Sequence, residues 1–254
     1  MYNLQDRKVL VTGASRGLGA AIAKAFAEEG CDLAITYLGS KDKAEAVAAD
    51  IRSSTGRKVV VLQAVTHTVT RNPECKRIID EAVKGLGGLD IVVSNAGNTK
   101  IAPFGDIDAL TEADWDHTWN LLVKSNVFLL RTARPHFNAN PDGGVFLIQS
   151  SVGGLFTNGS SMAYSVCRAA GLHLNKCLAE TQGPKIRVNA VCPGLVHTER
   201  TTLFTEEQRQ GYFDMAKLKR ITTPEEIAMT FVFAAKNSGM TGERIRVDSG
   251  MIIV

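Results

Sequence analysis

Cysteine is scarce in this sequence, and the few cysteines are scattered. Five occur in 254 residues, with no CxxC pair and no histidine at a metal-ligand spacing. Disulfide frameworks use even sets of cysteines, and zinc sites need thiols or imidazoles at short intervals. We therefore expect reduced thiols, no disulfide framework and no metal site. The cysteines are Cys31, Cys75, Cys167, Cys177 and Cys192.

Long apolar runs and a strong charge of either sign are also missing. No stretch approaches the roughly 18 apolar residues of a transmembrane helix, and residues 1–8 are too polar for a signal peptide. The 29 basic and 26 acidic side chains leave a net charge of only +3, which is too small and too dispersed to indicate nucleic acid or a membrane as partner. These absences predict a cytoplasmic protein that binds a small molecule.

Short apolar strands alternate with helical patterns along the whole chain. Strands are predicted at residues 8–12, 32–37, 58–64, 89–94, 145–149, 186–191 and 244–247. Helices are predicted at residues 20–29, 41–52, 73–84, 111–134, 164–180 and 224–235. Such alternation is typical of a parallel sheet covered on both faces. We predict one α/β domain over residues 1–254, a doubly wound, Rossmann-like fold with a seven-stranded parallel sheet.

Three glycines separate the first strand from the first helix. They are Gly13, Gly17 and Gly19, spaced Gly-x-x-x-Gly-x-Gly. Glycine lets the backbone approach a ligand closely, and the free N–H groups of a helix N-terminus attract phosphate. The loop therefore indicates a phosphate-binding site. A turn with small residues for packing is the alternative, and the loop alone does not decide between the two.

A hydroxyl, a phenol and a cation follow the fifth predicted strand. Ser151 comes directly after the strand, Tyr164 thirteen residues later, and Arg168 four residues after Tyr164. The i, i+4 spacing places the phenol and the guanidinium on one face of a helix. A phenol beside a fixed cation is a recognisable acid–base pair. The alternative is that both hydroxyls serve only packing and capping.

Together these segments resemble the short-chain dehydrogenase/reductase family in its roughly 250-residue form. The resemblance rests on TGASRGLG at 12–19, NAG at 95–97, Ser151, Tyr164 and RVNAVCPG at 187–194, and it covers essentially the whole chain. It implies an oxidoreductase with a nicotinamide nucleotide site. The predicted cofactor-binding residues are Gly13, Ser15, Arg16, Gly17, Leu18, Gly19, Ser40, Lys41, Asn95, Ala96, Gly97, Tyr164, Arg168, Pro193, Gly194, Val196 and Thr198.

The end of the second predicted strand favours NADPH over NADH. Sites for NAD usually place an acidic residue there to hold the ribose 2′-hydroxyl, whereas this strand leads to Ser40 and Lys41 with no acid at its end. Arg16, Ser40 and Lys41 are suited to receive a 2′-phosphate. We therefore predict NADPH or NADP as cofactor. The alternative is that Arg16 and Lys41 are ordinary surface charges. The resemblance also implies an adenine-side aspartate where Val65 stands.

The predicted catalytic residues are Ser151, Tyr164 and Arg168, and two positions depart from the family. The resemblance implies that Ser151 orients the substrate oxygen and that Tyr164 exchanges the proton. Arg168 stands where the family has a ribose-binding lysine, and Leu122 stands where it has an asparagine that holds a relay water. Arginine supplies a fixed cation but does not release a proton, and leucine cannot bind the water.

These residues predict an NADPH-dependent reductase of a carbonyl or imine in a small, fairly apolar substrate, with Tyr164 as the proton donor. The alternative is a non-redox member of the same fold, such as a cyclase, isomerase or dehydratase, that binds NADP(H) without obligatory hydride transfer. An NADP(H)-binding sensor or inactive partner subunit is the third possibility. The resemblance further implies a substrate lid at about 196–219, and a homodimer or homotetramer formed through residues 111–134 and 164–180.

Overall fold

A computed structural model describes residues 1–64 and 72–253, so the predicted departure at Val65 lies outside the described residues. The strands are β1 (Lys8–Val11), β2 (Asp32–Tyr37), β3 (Val59–Gln63), β4 (Ile91–Ser94), β5 (Gly144–Gln149), β6 (Ile186–Pro193) and β7 (Arg244–Val247). Every neighbouring pair is parallel, in the order β3-β2-β1-β4-β5-β6-β7. The predicted seven-stranded parallel sheet is confirmed.

Helices cover both faces of this sheet. They are α1 (Gly17–Glu28), α2 (Lys41–Thr55), α3 (Asn72–Leu86), α4 (Glu112–Trp119), α5 (Ser125–Ala139), α6 (Met162–Gln182), α7 (Glu206–Met215) and α8 (Pro224–Lys236). One core cluster joins α1, α2 and α8 to the sheet, and the other joins α3, α5 and α6. Phe26 and Phe231 are fully buried in the first cluster, and Phe137 and Phe146 in the second. The doubly wound arrangement is therefore confirmed.

The helical segment predicted over residues 111–134 is present and runs from Glu112 to Ala139, but a π-helical turn that was not predicted interrupts its regular α-helical geometry. Helix α4 ends at Trp119, a π-helical turn occupies Asn120–Lys124, and α5 begins at Ser125. The buried Asn126 donates from Nδ2 to the Leu122 carbonyl at 2.8 Å, which gives that carbonyl of the π turn a side-chain partner. Insertions of this kind are frequent at functional sites. The turn places Leu122 against α6, where it packs with Tyr164 and Cys167.

The strand order reverses between β1 and β4, which both lie in the middle of the sheet. In doubly wound folds, ligands bind in the crevice at the carboxyl ends of the strands where the order reverses. The segments that follow β1, β4, β5 and β6 all leave from this edge, because every strand of the sheet runs in the same direction. Among the described residues, no helix has both the length and the apolar character to cross a bilayer.

Candidate active site

The glycine loop after β1 has a backbone that side chains would obstruct. Gly13 and Gly17 have φ angles of +66° and +55°, which favour glycine. A Cβ atom on Gly13 would lie 2.9 Å from Ala96 Cα. One on Gly19 would lie 2.4 Å from the Gly13 carbonyl oxygen and 2.5 Å from Asn95 Nδ2. The loop therefore packs directly on the segment that follows β4, and its own backbone forms the surface of the crevice.

Hydrogen bonds from the segment after β4 hold this loop in place. Asn95 donates from Nδ2 to the carbonyl oxygens of Thr12 and Gly13, at 2.9 and 3.1 Å. The Thr12 hydroxyl accepts from the backbone N–H groups of Asn95 and Ala96, both at 2.9 Å. Both amide hydrogens of Asn95 are thus used by the loop. Asn95 therefore fixes the shape of the glycine loop from behind, on the side away from the surface that a ligand would touch.

We expect Gly19→Ala to weaken NADPH binding at least tenfold and to lower the free energy of unfolding by about 1–3 kcal/mol, because the added methyl overlaps backbone atoms of a packed loop. Titration of nucleotide fluorescence and denaturant unfolding would measure the two effects. Gly39→Ala is the matched control, since a Cβ there meets no atom within 4 Å. Wild-type binding by the Gly19 variant would show that the loop does not carry the nucleotide.

The chain after β6 forms the opposite wall of the crevice. Gly194 lies against Asp248, with 2.9 Å between the position of a Cβ on the glycine and Asp248 Cα. Thr198 approaches the glycine loop, because its Cγ2 atom would lie 3.6 Å from a Cβ on Gly17. Val196 forms an isolated bridge with Thr222. Residues 196–222 therefore form a loop whose ends pair at its base, and the lid predicted at about 196–219, with α7, lies within this loop.

The other predicted nucleotide contacts lie around this crevice with different exposures. Leu18 is partly buried and packs against the core, whereas Arg16 and Lys41 are exposed. Ser40 occupies the N-cap position of α2, and its side chain makes no capping hydrogen bond. Pro193 is the last residue of β6. The remaining predicted nucleotide contacts belong to loops at the same edge of the sheet; they are Ser15, Ala96 and Gly97.

Two cations and a carboxylate meet beside the glycine loop. Arg16 Nη1 lies 3.3 Å from Glu199 Oε2, and Lys43 Nζ lies 3.1 Å from Glu199 Oε1. Lys43, and then Arg16, hold the pKa of Glu199 below its usual range. Sequence reasoning selected Lys41 and missed Lys43 and Glu199. In a helix that starts at residue 41, the first and third side chains point in different directions. This difference in direction was the sequence signal that could have favoured Lys43 over Lys41.

Ser151 and Tyr164 converge on Gly153. A Cβ on Gly153 would lie 3.4 Å from Ser151 Oγ and 3.5 Å from Tyr164 Cε1, so both side chains flank one glycine. The Ser151 hydroxyl accepts from the Gly153 N–H at 3.0 Å. Ser161 caps α6 by accepting from the Tyr164 N–H at 3.3 Å, which fixes the start of the helix that carries the phenol. The predicted hydroxyl and phenol are therefore brought together.

Arg168 is buried behind Tyr164 and is held by Gln149. The guanidinium donates from Nη1 to the Gln149 carbonyl oxygen and from Nη2 to the Gln149 side-chain Oε1, at 2.5 and 3.0 Å. Its Cζ lies 4.9 Å from the centre of the Tyr164 ring. Only 6% of Arg168 is exposed. Sequence reasoning missed Gln149, although an amide ending an otherwise apolar strand was a usable signal.

Arg168 and Leu122 both reach Gly97. A Cβ on Gly97 would lie 3.2 Å from Arg168 Nη2 and 3.5 Å from Leu122 Cδ2. The two departures from the family pattern therefore occupy one small volume. Leu122 is 3% exposed and supplies only apolar surface there. Burial raises the pKa of the neighbouring Cys167 thiol to about 11, so this thiol is protonated near neutral pH and is not a nucleophile.

A cavity of about 510 Å³ opens beside the phenol. Gly159 lines it, and a Cβ on Gly159 would lie 3.6 Å from Tyr164 Cδ1. Burial, and then the nearby Tyr164, raise the pKa of Tyr212. Tyr212 belongs to α7 within the predicted lid, so this part of the lid lies near the phenol. Every wall residue of the cavity that the structure describes is uncharged: Ile101, Ala102, Pro103, Phe104, Asn158, Gly159, Ser160, Phe204, Gln208, Gly211, Tyr212 and Met215.

Comparison with known proteins gives consistent matches over the full length. A family model described as enoyl-(acyl carrier protein) reductase matches residues 13–252. The chain is 33% identical over 249 residues to 3-oxoacyl-[acyl-carrier-protein] reductase FabG of Staphylococcus epidermidis, covering 97% of this chain and 99% of that protein. It is 34% identical to an oxidoreductase of Thermotoga maritima, with 99% and 100% covered. A short-chain dehydrogenase of Burkholderia cenocepacia, solved in complex with NADP, superposes with a TM-score of 0.87 at 30% identity, with 98% and 99% covered.

Proposed function

The chain belongs to the short-chain dehydrogenase/reductase family, and we propose that it is an NADPH-dependent reductase of a small, apolar carbonyl or imine compound. The observation that carries the proposal is the convergence of Ser151 and Tyr164 on Gly153, next to Gly159 and a cavity whose described wall residues are uncharged. A hydroxyl and a phenol that approach one point can polarise a single substrate oxygen or nitrogen.

In the proposed reaction the chain orients the substrate and supplies a proton. Ser151 donates a hydrogen bond to the substrate oxygen, while its own Oγ stays fixed by the Gly153 N–H. Tyr164 donates its phenolic proton to the same oxygen. Arg168, stacked on the ring, stabilises the resulting phenolate because an opposite charge at short range favours the ionised form. When bound, the reduced nicotinamide supplies the hydride.

The crevice fits a dinucleotide phosphate in both shape and charge. Cβ atoms on Gly13 or Gly19 would collide with Ala96, Asn95 or the loop's own backbone, so only glycine allows the compact loop whose free backbone a pyrophosphate can approach. Arg16 and Lys43 stand together where the second strand lacks an acidic residue at its end. We propose that these two cations receive the 2′-phosphate. The NADP complex of the Burkholderia cenocepacia relative supports this choice.

The cavity supports a neutral substrate. Its walls combine apolar side chains such as Phe204 and Met215 with uncharged polar groups such as Ser160 and Gln208. A free carboxylate or phosphate would be desolvated there without a charged partner, which is unfavourable. The relatives whose names mention acyl carrier protein substrates make a 3-oxoacyl thioester a useful member of the test panel.

Glu199 competes with the nucleotide for the same two cations. We expect Glu199→Gln to lower the dissociation constant for NADPH about three- to tenfold, because Arg16 and Lys43 then meet the 2′-phosphate without a competing carboxylate. The gain should shrink as salt is raised, since all three groups are exposed. Binding titrations of NADPH and NADH at two salt concentrations measure the effect.

Asp214→Asn is the matched control for Glu199→Gln, because Asp214 is another exposed carboxylate of the predicted lid, and its Oδ1 accepts a hydrogen bond from Gln210 Nε2. It should leave both dissociation constants unchanged. An equal gain for NADH and NADPH in the Glu199 variant would contradict the assignment of these cations to the 2′-phosphate.

The direct test of the proposed function is oxidation of NADPH. Purified protein should remove the absorbance of the reduced nicotinamide when it is mixed with members of a panel of neutral ketones, imines and a 3-oxoacyl thioester. Clear NADPH binding with no oxidation by any member would overturn the reductase. That result would favour the non-redox alternative, which Leu122 supports because it interrupts the expected water relay.

We further propose a cytoplasmic homodimer or homotetramer that pairs through α4, α5 and α6. Trp119 at the end of α4 is 44% exposed, and Val166 on α6 is 47% exposed. Large apolar side chains at such positions gain from burial against a second copy. Light scattering after size-exclusion chromatography should therefore return a multiple of 27.3 kDa, and the mass of a single chain would contradict the proposal.

A further inference from the structure

The pair formed by Gln149 and Arg168 joins the end of β5 to α6 behind the phenol. Two oxygens of one residue accept from the two terminal nitrogens of the guanidinium. The Nε atom is buried and has no hydrogen-bond partner among the described residues. Gln149 is thus the main polar contact of a cation that is almost fully withdrawn from water.

Both oxygens that hold Arg168 are electrically neutral. Other arginines of the chain, such as Arg77 and Arg220, are paired with carboxylates. No ion pair among the described residues involves Arg168. Its positive charge is therefore uncompensated by any carboxylate within ion-pair distance. A buried charge without a counter-ion is unfavourable. A functional role beside Tyr164 would explain why this charge is retained.

The titratable groups near the guanidinium include the phenol of Tyr164 and the thiol of Cys167 on α6, and the thiol of Cys192 on β6. Tyr212 on α7 lies beyond Tyr164, and the cations Arg244 and Arg246 act on Cys192 from β7. Burial raises the pKa of the thiols of Cys167 and Cys192 to about 11. The ring of Tyr164 lies directly under the guanidinium. Among these groups, the phenol is the one that stacks on the cation, and its ring also lies against Gly159, which lines the cavity.

We propose that Gln149 is a positioning residue: its carbonyl and amide oxygens hold the Arg168 guanidinium against the Tyr164 ring without neutralising its charge. A carboxylate at position 149 would hold the guanidinium in the same geometry but would cancel its field at the phenol. An apolar residue would leave the charge but release one of its two anchors. Glutamine meets both requirements, since it fixes the cation and keeps it positive.

This inference rests on the proposed function only in assigning the proton transfer to Tyr164, and its test needs no substrate. Phenolate absorbance is titrated with pH in the wild type and in Gln149→Glu and Gln149→Leu. The same titration of Tyr164→Phe in each background isolates the signal of Tyr164. Burial raises the pKa of Tyr2 to about 12 and also raises that of Tyr212, and the subtraction removes the absorbance change of both phenols.

We expect Gln149→Glu to raise the midpoint of Tyr164 ionisation by about one to two pH units, because a cancelled charge at this range is worth that much. Gln149→Leu should raise it by about half a unit, since the cation is less well fixed. The pH profile of kcat should shift, and kcat at neutral pH should fall, by more in Gln149→Glu than in Gln149→Leu. The midpoint of Tyr164 ionisation and the pH profile would not change if Gln149 only linked β5 to α6.

Gln182→Glu and Gln182→Leu are matched controls at the opposite end of α6, where Gln182 bonds to Thr181. Both should titrate as the wild type does. Unchanged Tyr164 midpoints in both Gln149 variants would overturn the proposal, even if kcat fell. Where Gln149→Glu does not fold, Gln149→Leu and Gln149→Met decide by the same criterion. Shifted midpoints in a protein that oxidises no NADPH would reject the proposed function while retaining the role of Gln149.

Discussion

Replacing Tyr164 with phenylalanine is expected to lower kcat by about 10²- to 10⁴-fold, the usual contribution of a positioned general acid. The ring of phenylalanine fills the same space between Gly153 and Gly159, so the cavity and the stacking on Arg168 are retained. Only the transferable proton is lost. Steady-state turnover with the best substrate of the panel measures the change, and nucleotide titration should show less than about a tenfold change in the dissociation constant for NADPH.

Tyr2→Phe is the matched control for this change. Tyr2 carries a buried hydroxyl with no hydrogen-bond partner among the described residues, and its ring lies against Arg7 and Arg187, away from the cavity. It should keep wild-type turnover. Wild-type kcat in the Tyr164 variant would remove the phenol from the mechanism and leave Ser151, or a group outside the chain, as the source of polarisation.

Removal of the buried cation is the second change with a large expected effect. Arg168→Met should lower kcat about 100-fold, because the phenolate loses the charge that stabilises it. It should also lower the free energy of unfolding by about 1–3 kcal/mol, since two oxygens of Gln149 lose their buried donors. Turnover and denaturant unfolding measure the two effects separately. A stable variant with unchanged kcat would show that the charge has no part in the reaction.

Arg168→Lys tests whether charge alone is sufficient. Lysine keeps the positive charge but has no planar fork for the two oxygens of Gln149, so we expect an intermediate kcat.

Leu122→Asn alone places an amide in an apolar contact next to Gly97 and should also lower kcat. The double variant should exceed both single variants if asparagine and lysine restore a water relay. Substitutions of residues that meet at one point are expected to have non-additive effects on kcat. Additive losses of kcat in the double variant would therefore favour the non-redox alternative.

We propose that the predicted lid controls access to the predicted nucleotide site through Glu199. Glu199 lies one residue after Thr198, and it bridges cations from the glycine loop and from α2. The carboxylate therefore ties the beginning of the lid to the binding site through contacts that a 2′-phosphate would replace. Nucleotide binding and lid position are thus expected to be coupled through one exposed side chain, which Glu199→Gln would uncouple.

Much of the fold could be predicted because its signals are local. Apolar runs of four to eight residues gave the strands to within a few residues, and glycines marked the loop after β1. The π turn at Asn120–Lys124 escaped prediction, since the residues there continue a helical pattern. Its position depends on contacts with α6 that no local window contains. The meeting of Lys43 with Arg16 was also beyond a local window, because the two cations are brought together by Glu199, which lies far away in the sequence.

By itself, the sequence determined the parallel sheet, the glycine cradle and the pairing of Tyr164 with Arg168 on one helical face, because each follows from spacing along one segment. Tertiary structure alone decided where the guanidinium points. A flexible side chain turns toward the strongest acceptors within reach, and for Arg168 these belong to Gln149, nineteen residues earlier on a different element. The neutrality of that partner, which the sequence supplies, leaves the charge at the phenol, whereas only the tertiary structure brings Gln149 within reach of Arg168.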